Sequence, residues 1–280
     1  MRDEYREDPA LNVSRLALMA DSPKHYQINA PLESDAVNFG TICHLAILEP
    51  MKFKSLYVVE PDTILGEERN NRLKAHREYM DKWRADQGEG AVILKPQEME
   101  SLTGILLSLA DEIKANRGKL SLAEVFSSGE FEVPLVRDFN GRPCKGKADI
   151  VVNSKTMGKV VLDVKKVGRP KGASSQEFGR VISNLHYDAK AAWYQDIFEA
   201  DNFVWIALEE KAPHAIGIYD ANPFYEIGKR KYKQWLERLA ECEAKNDWPF
   251  YTCGVEPIYP SSWQISQLKE ESWDSKGEIL

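Results

Sequence analysis

Lys147-Ala148-Asp149-Ile150-Val151-Val152 and Val160-Val161-Leu162-Asp163-Val164-Lys165 are the stretches that decide the fold. Both are short, apolar and rich in β-branched side chains, the composition of strands. Between them, Asn153-Ser154-Lys155-Thr156-Met157-Gly158-Lys159 is polar and carries a glycine, as a hairpin loop requires. A turn centred on Thr156 sets Asp149 directly opposite Asp163. Cross-strand neighbours hold their Cβ atoms about 4.5–5.5 Å apart, so the two carboxylates can share one divalent cation. Side chains alternate along a strand, which returns Lys165 to the face of Asp163. Two acids and a lysine on one face of a hairpin suit metal-dependent phosphodiester hydrolysis. Oxygen ligands favour Mg²⁺. The cation activates water and stabilises the leaving oxygen, with the ammonium near the water or the phosphate. An Asp-x-Lys tripeptide alone is a weak motif. The apolar flanks sharpen it, because burying such charges without a use is costly. A structural ion pair is the alternative reading.

Upstream, Ala36-Val37-Asn38-Phe39-Gly40-Thr41-Ile42-Cys43-His44-Leu45-Ala46-Ile47-Leu48 has apolar residues at helical spacing. Gly40 and His44 are four apart and share a face. A glycine weakens a helix, so this one implies close approach by another group. His44 would complete a metal site with the two aspartates; a core histidine bonded to a backbone carbonyl is the competing reading.

Taken in order, Gly40-x-x-x-His44, Asp149, Asp163-x-Lys165 and a helix ending in Tyr194 resemble the PD-(D/E)XK nuclease superfamily, and within it the RecE-type, exodeoxyribonuclease VIII-like exonucleases of phages and prophages. The segment from Val13 to Tyr26 is similar to that family's opening pattern, Phe39 to Pro50 to its histidine helix, Tyr187 to Tyr194 to the helix after the catalytic lysine, and Trp248 to Trp263 to its C-terminal signature. The resemblance implies an α/β fold with a mixed central sheet flanked by helices. It implies His44, Asp149, Asp163 and the carbonyl of Val164 as ligands of Mg²⁺ or Mn²⁺, and Lys165 as the lysine that orients or helps deprotonate the attacking water. Glu132, in Phe131-Glu132-Val133-Pro134-Leu135-Val136, is expected to assist indirectly, on a strand that Pro134 either confines to a sheet edge or breaks. One position departs from the family, which carries Gln where this chain has Lys190. A helix keeps Lys190 and Tyr194 on one face, but an amide accepts a hydrogen bond and an ammonium does not. Both residues are candidate DNA contacts, and Lys190 can meet a phosphate.

The resemblance further implies 5′ to 3′ resection of linear double-stranded DNA from its ends, leaving 3′ single strands for recombination. It also implies a single-strand annealing protein as partner and a ring-shaped homo-oligomer around the DNA. Arg15 and Lys24 are candidates for holding a 5′ phosphate or the backbone. Two other readings share these residues: a different PD-(D/E)XK enzyme, of CRISPR-adaptation or endonuclease type, and a non-catalytic DNA-binding relative.

The 280 residues can bury a substantial core. One nuclease domain is expected over 1–280, mostly helical over 10–120, with the catalytic sheet and helix over 121–221 and a C-terminal helix and tail over 222–280. No run is long enough to span a membrane, and the charged first residues are unlike a signal peptide, so the cytoplasm is the expected location. Cys43, Cys144, Cys242 and Cys253 lack C-x-x-C spacing. Relatives with an iron–sulfur cluster group three cysteines near the C-terminus, so no cluster is expected here. The net charge of −7 sits awkwardly with DNA binding, because phosphate contacts come from Lys and Arg. However, Lys145, Lys147, Lys165, Lys166, Arg169 and Lys171 crowd around the hairpin in sequence, with Arg180 beyond, and would form a basic groove on an acidic body.

Helices are expected over 10–27 with Ser14 as cap and Pro23 at the end, over 67–87, 97–116, 187–200 and 224–245, the last with Ile227, Trp235, Leu236 and Leu239 inward. Strands are expected over 55–59, three times between 130 and 165, and over 203–209 and 215–220.

Overall fold

A computed structural model describes residues 5, 7–29, 35–64, 66–139, 141–168, 170–252 and 254–267, the side chains of 35–38 excepted. The strands are β1 (Leu11–Asn12), β2 (Tyr57–Val59), β3 (Thr63–Ile64), β4 (Glu67–Glu68), β5 (Val92–Leu94), β6 (Glu130–Phe139), β7 (Arg142–Ser154), β8 (Gly158–Val167), β9 (Asn202–Glu209) and β10 (Ile216–Asp220). The helices are α1 (Val13–Leu16), α2 (Pro23–Ile28), α3 (Asp35–Leu48), α4 (Pro50–Leu56), α5 (Lys74–Ala85), α6 (Pro96–Ala115), α7 (Leu122–Ser128), α8 (Ser175–Asn184), α9 (Tyr187–Phe198) and α10 (Tyr225–Lys245). The α/β architecture with a mixed central sheet is therefore as the sequence implied. β6, β7 and β8 form an antiparallel meander, β8 and β9 run parallel, and β10 returns antiparallel to β9.

The sheet separates two apolar layers. Val161, Phe203, Trp205 and Ala207 pack with α8, α9 and α10; Val160, Leu162, Val164, Val204 and Ile206 pack with α3, α6 and α7. This is the alternation that a strand buried on both faces requires. Trp193, Trp205, Tyr232 and Phe178 are fully buried, each contributing roughly 1.5–3 kcal/mol by area. Trp193 meets Tyr232 edge-on at 5.6 Å, the arrangement favoured by aromatic quadrupoles.

On β6 and β7 the alternation changes phase. Cys144 and Ala148 belong to the α9 layer, whereas Ile150 and Val152 belong to the opposite one; on β6 the same switch falls between Phe131 and Val133. The β6–β7 pairing keeps its register through the switch, with Phe131 opposite Ile150 and Val133 opposite Ala148. Glu132, with φ of +55° in mid-strand, absorbs the change.

Several expected elements differ. The segment over 10–27 is not one helix: Leu11–Asn12 pairs parallel with Cys144–Lys145, Asn12 and not Ser14 caps the following turn, and Pro23 opens α2 behind the Ser22 cap. Proline suits a first helical position because the missing N–H is unpaired there anyway. The helix expected over 67–87 is shorter, Lys74–Ala85, preceded by the β3–β4 pair. Pro50–Leu56 is helical, so its strand begins only at Tyr57. On α10, Ile227 is 46% exposed and Gly228 takes the inward position. There α10 approaches α9 so closely that a Cβ on Gly228 would lie 2.1 Å from the Asp188 carbonyl oxygen. Gly228→Ala should therefore cost about 3 kcal/mol by overpacking and lower the melting temperature by roughly 6–12 °C; a change within about 1 °C would show that the helices separate freely.

Candidate functional site

The β7–β8 hairpin turns about Thr156, pairing Ser154 with Gly158 and ending at Ile150 opposite Leu162. The next pair would be Asp149 and Asp163, and there the strands part. Among the described residues, nothing pairs with that edge of β7 again until Cys144–Lys145, where β1 takes it. The Val164 N–H, which a continued ladder would have bonded to β7 backbone, donates instead to Asp149 Oδ2 at 2.7 Å. In an antiparallel pair one residue directs its N–H and C=O to the same side, so the Val164 carbonyl leaves β8 toward the same gap.

Four further side chains converge here. His44 projects from α3, its Nδ1 3.5 Å from Asp149 Oδ2; Phe39, Cys43, Ala46 and Ile47 bury the helix face that aims it. Glu132 falls between Phe131 and Val133, whose partners Ile150 and Ala148 flank Asp149, and is ion-paired with Lys147. Asp163 and Lys165 share a face of β8, with Nζ 2.5 Å from Asp163 Oδ2. Ligand atoms of His44, Glu132 and Asp149 all lie within 4.8 Å of one another. The trio that closes thus contains Glu132, which the sequence placed behind Asp163. Asp163 stands alongside, and its buried Oδ2 receives no hydrogen bond of normal geometry despite the nearby ammonium.

The electrostatics are those of crowded acids. Burial works against the Asp149 charge, but His44 and Lys165 beside it and the Val164 N–H hold its pKa below the usual carboxylate range. Burial and the neighbouring Asp149 raise Asp163, even against Lys165. Lys165 is raised: burial disfavours its charge, but the two aspartates outweigh that. Burial likewise opposes charge on His44, and Asp149 raises it nonetheless. A carboxylate raised by a like neighbour marks a place where added positive charge is favourable. Oxygen donors with one imidazole fit a divalent cation, with His44, Glu132 and Asp149 as holders and Asp163 and the Val164 carbonyl beside them.

The remaining predicted residues lie as follows. Lys190, half-buried at the start of α9, points toward the site: its Nζ lies 5.3 Å from the Tyr187 ring centre, as does that of Lys165. Burial and then Lys165 lower its pKa. Tyr194 faces β7, its hydroxyl accepting the Lys147 N–H at 3.4 Å and its ring stacking on Phe198. Lys166 points to the other layer and pairs with Glu210 at 2.6 Å. The Arg15 guanidinium covers the Tyr26 ring at 4.7 Å, and Lys24 Nζ donates to Gln27 at 2.8 Å. Arg169 lies outside the described residues, as does Cys253; Cys43, Cys144 and Cys242 are buried free thiols.

Two expectations change. The basic cluster around the hairpin is largely engaged: Lys145 Nζ donates to the carbonyls of Tyr5 and Asp8 at 2.8 and 2.7 Å, Lys147 and Lys166 hold carboxylates, and Arg180 pairs with Glu177. Gly40 is not a close-packed position, since a Cβ there meets nothing within 4 Å among the described residues. Tyr187 also belongs to the site, and its spacing of three from Lys190 is the sequence signal that joins them.

A meander whose diverging strands bring acids, a histidine and a lysine to one gap is the arrangement of a PD-(D/E)XK core. The chain belongs to the family described as "PDDEXK-like domain of unknown function (DUF3799)", which matches residues 11–257. No curated protein matches it. A solved structure from Eubacterium rectale, described as "Putative exonuclease", is similar at 13% identity with a TM-score of 0.56, covering 92% of each chain, and shows a shared fold. The structure of SSO0001, also 13% identical and covering 84% of this chain and 86% of its own, has a TM-score of 0.28. No described helix is long and apolar enough to cross a membrane.

Asp163→Asn should weaken Mg²⁺ binding by roughly tenfold or more through loss of a negative charge. Calorimetric affinity equal to that of the wild type would remove Asp163 from the site.

Proposed function

We propose that the protein is a metal-dependent exonuclease that degrades linear double-stranded DNA, 5′ to 3′, to leave 3′ single strands for recombination. The observation that carries the reading is the convergence of His44, Glu132, Asp149, Asp163 and Lys165 in the gap between β7 and β8. Membership in a PDDEXK-like family supports nuclease chemistry, and the description of the Eubacterium rectale structure agrees. The direction, the annealing partner and a ring-shaped oligomer rest on the sequence resemblance to RecE-type enzymes.

Bound at the carboxylates, a Mg²⁺ or Mn²⁺ ion would supply water activation and charge neutralisation at the phosphate. The chain's own groups do the rest. Asp149 is fixed by the Val164 N–H and so presents its carboxylate in one orientation. Asp163 holds the Lys165 ammonium in place. Lys165, kept protonated by the aspartates, donates to the attacking water and orients it toward phosphorus. Its fixed charge also opposes the negative charge that develops on the phosphate oxygens.

The test is digestion of linear duplex labelled at either 5′ or 3′ ends, with and without Mg²⁺, beside covalently closed circular DNA. Metal-dependent release of 5′ label from linear DNA only is expected. Cutting of the circle would indicate an endonuclease, and no release under any condition a binding relative. Lys165→Ala should lower the cleavage rate by about 10²–10⁴ while duplex affinity stays within about threefold, one phosphate contact being a small share of the total. Near wild-type cleavage would remove Lys165 from the chemistry.

Lys190 is assigned to the strand being cut. Lys190→Gln should retain cleavage, bind duplex more weakly, and show a salt dependence shallower by about 0.9 in log–log slope, the share of one phosphate contact. If the substitution instead activates an inert protein, the natural chain is a degenerate nuclease.

A further inference from the structure

Two lysines share one aromatic ring at this site. Lys165 Nζ and Lys190 Nζ each lie 5.3 Å from the Tyr187 ring centre, within the range in which a ring face attracts a cation. Their other partners differ. Lys165 is paired with Asp163; among the described residues Lys190 makes no ion pair, although Asp163 is close enough to act on its charge. An unrestrained ammonium on a four-carbon stem beside crowded carboxylates would be expected to fold onto one of them and compete with a cation for it. Tyr187 is three residues before Lys190 on the same helix, so the two side chains are neighbours on its surface. The ring is half-buried, where cation–ring attraction is stronger than in open water.

We propose that Tyr187 is a positioning residue. Its ring holds the Lys190 ammonium off the carboxylates, so that a lysine occupies this helix position without displacing the divalent cation. The same ring steadies the Lys165 ammonium against Asp163. This deepens the nuclease reading and rests on it for the identity of the cation. What the ring supplies is its π face, so phenylalanine serves in place of tyrosine and an aliphatic residue does not.

The test is a double-mutant cycle read by calorimetric Mg²⁺ and Mn²⁺ affinity on the whole chain without DNA, with melting temperature recorded for each variant. Tyr187→Leu should weaken metal binding by about tenfold, the order of a partly desolvated cation–ring contact, and Tyr187→Phe should restore it. In the Lys190→Gln background, Tyr187→Leu should change the affinity by less than about threefold, because the competing ammonium is absent. Equal losses in both backgrounds would overturn the role of Tyr187 while leaving the metal site standing. Wild-type protein that binds neither ion would overturn the metal reading itself. A second measurement needs no Tyr187 variant. In lysine-labelled wild-type protein, the ε-methylene proton signals of Lys165 and Lys190, assigned through Lys165→Ala and Lys190→Gln, should carry ring-current shifts. Unshifted Lys190 signals would overturn the proposal even if Tyr187→Leu fails to fold.

Discussion

The hydrogen bond from the Val164 N–H to the Asp149 carboxylate is the interaction on which the site depends. An antiparallel hairpin normally closes every backbone pair, and a buried N–H without an acceptor is costly. Here a side chain supplies the acceptor, so β7 and β8 can part after Ile150 and Leu162 without orphaning the Val164 N–H. The opening admits His44 from α3 and the carboxylate of Glu132 from across β7. A continuous ladder would have left no room for a cation between the strands.

Glu132 is the counterpart on the other edge. Its left-handed backbone is uncommon for a residue with a Cβ, and residues held in such conformations concentrate at functional sites. The conformation lets β6 and β7 exchange faces together while staying in register. Residues to one side of the switch pack under α9, and those to the other pack under α3, α6 and α7. The acids thus sit where neither layer claims the side chain. The two-residue strand β1, tied down by Lys145 through the Tyr5 and Asp8 carbonyls, closes the far end of the gap.

Much of this was legible in the sequence because hairpin register is a matter of counting. A loop symmetric about Thr156 sets the register as far as Ile150 and Leu162, and the β-branched flanks identify the strands. His44 was readable from helical spacing. The closing trio of His44, Glu132 and Asp149 was not, since it depends on one residue leaving the extended region, which is settled by packing on both faces. β1 is too short to show a period, and α7 and α8 are short helices announced mainly by the caps Ser121 and Ser174. Ile227 misled because hydrophobicity alone does not say which helix face meets a neighbour; the small Gly228 marks the contact instead. The lysines near the hairpin read as a groove in one dimension. In three dimensions Lys145, Lys147, Lys165 and Lys166 point to different layers, each to its own partner.

The Val164 amide has a consequence for observing the site. Its proton is donated to a carboxylate oxygen rather than to a peptide carbonyl, so its chemical shift and exchange rate follow the charge on Asp149. Anything that draws electron density from that carboxylate weakens the bond, and protonation weakens it further. A single backbone resonance in the middle of a buried strand is therefore a built-in reporter of the charge state of the site, legible without substrate or turnover.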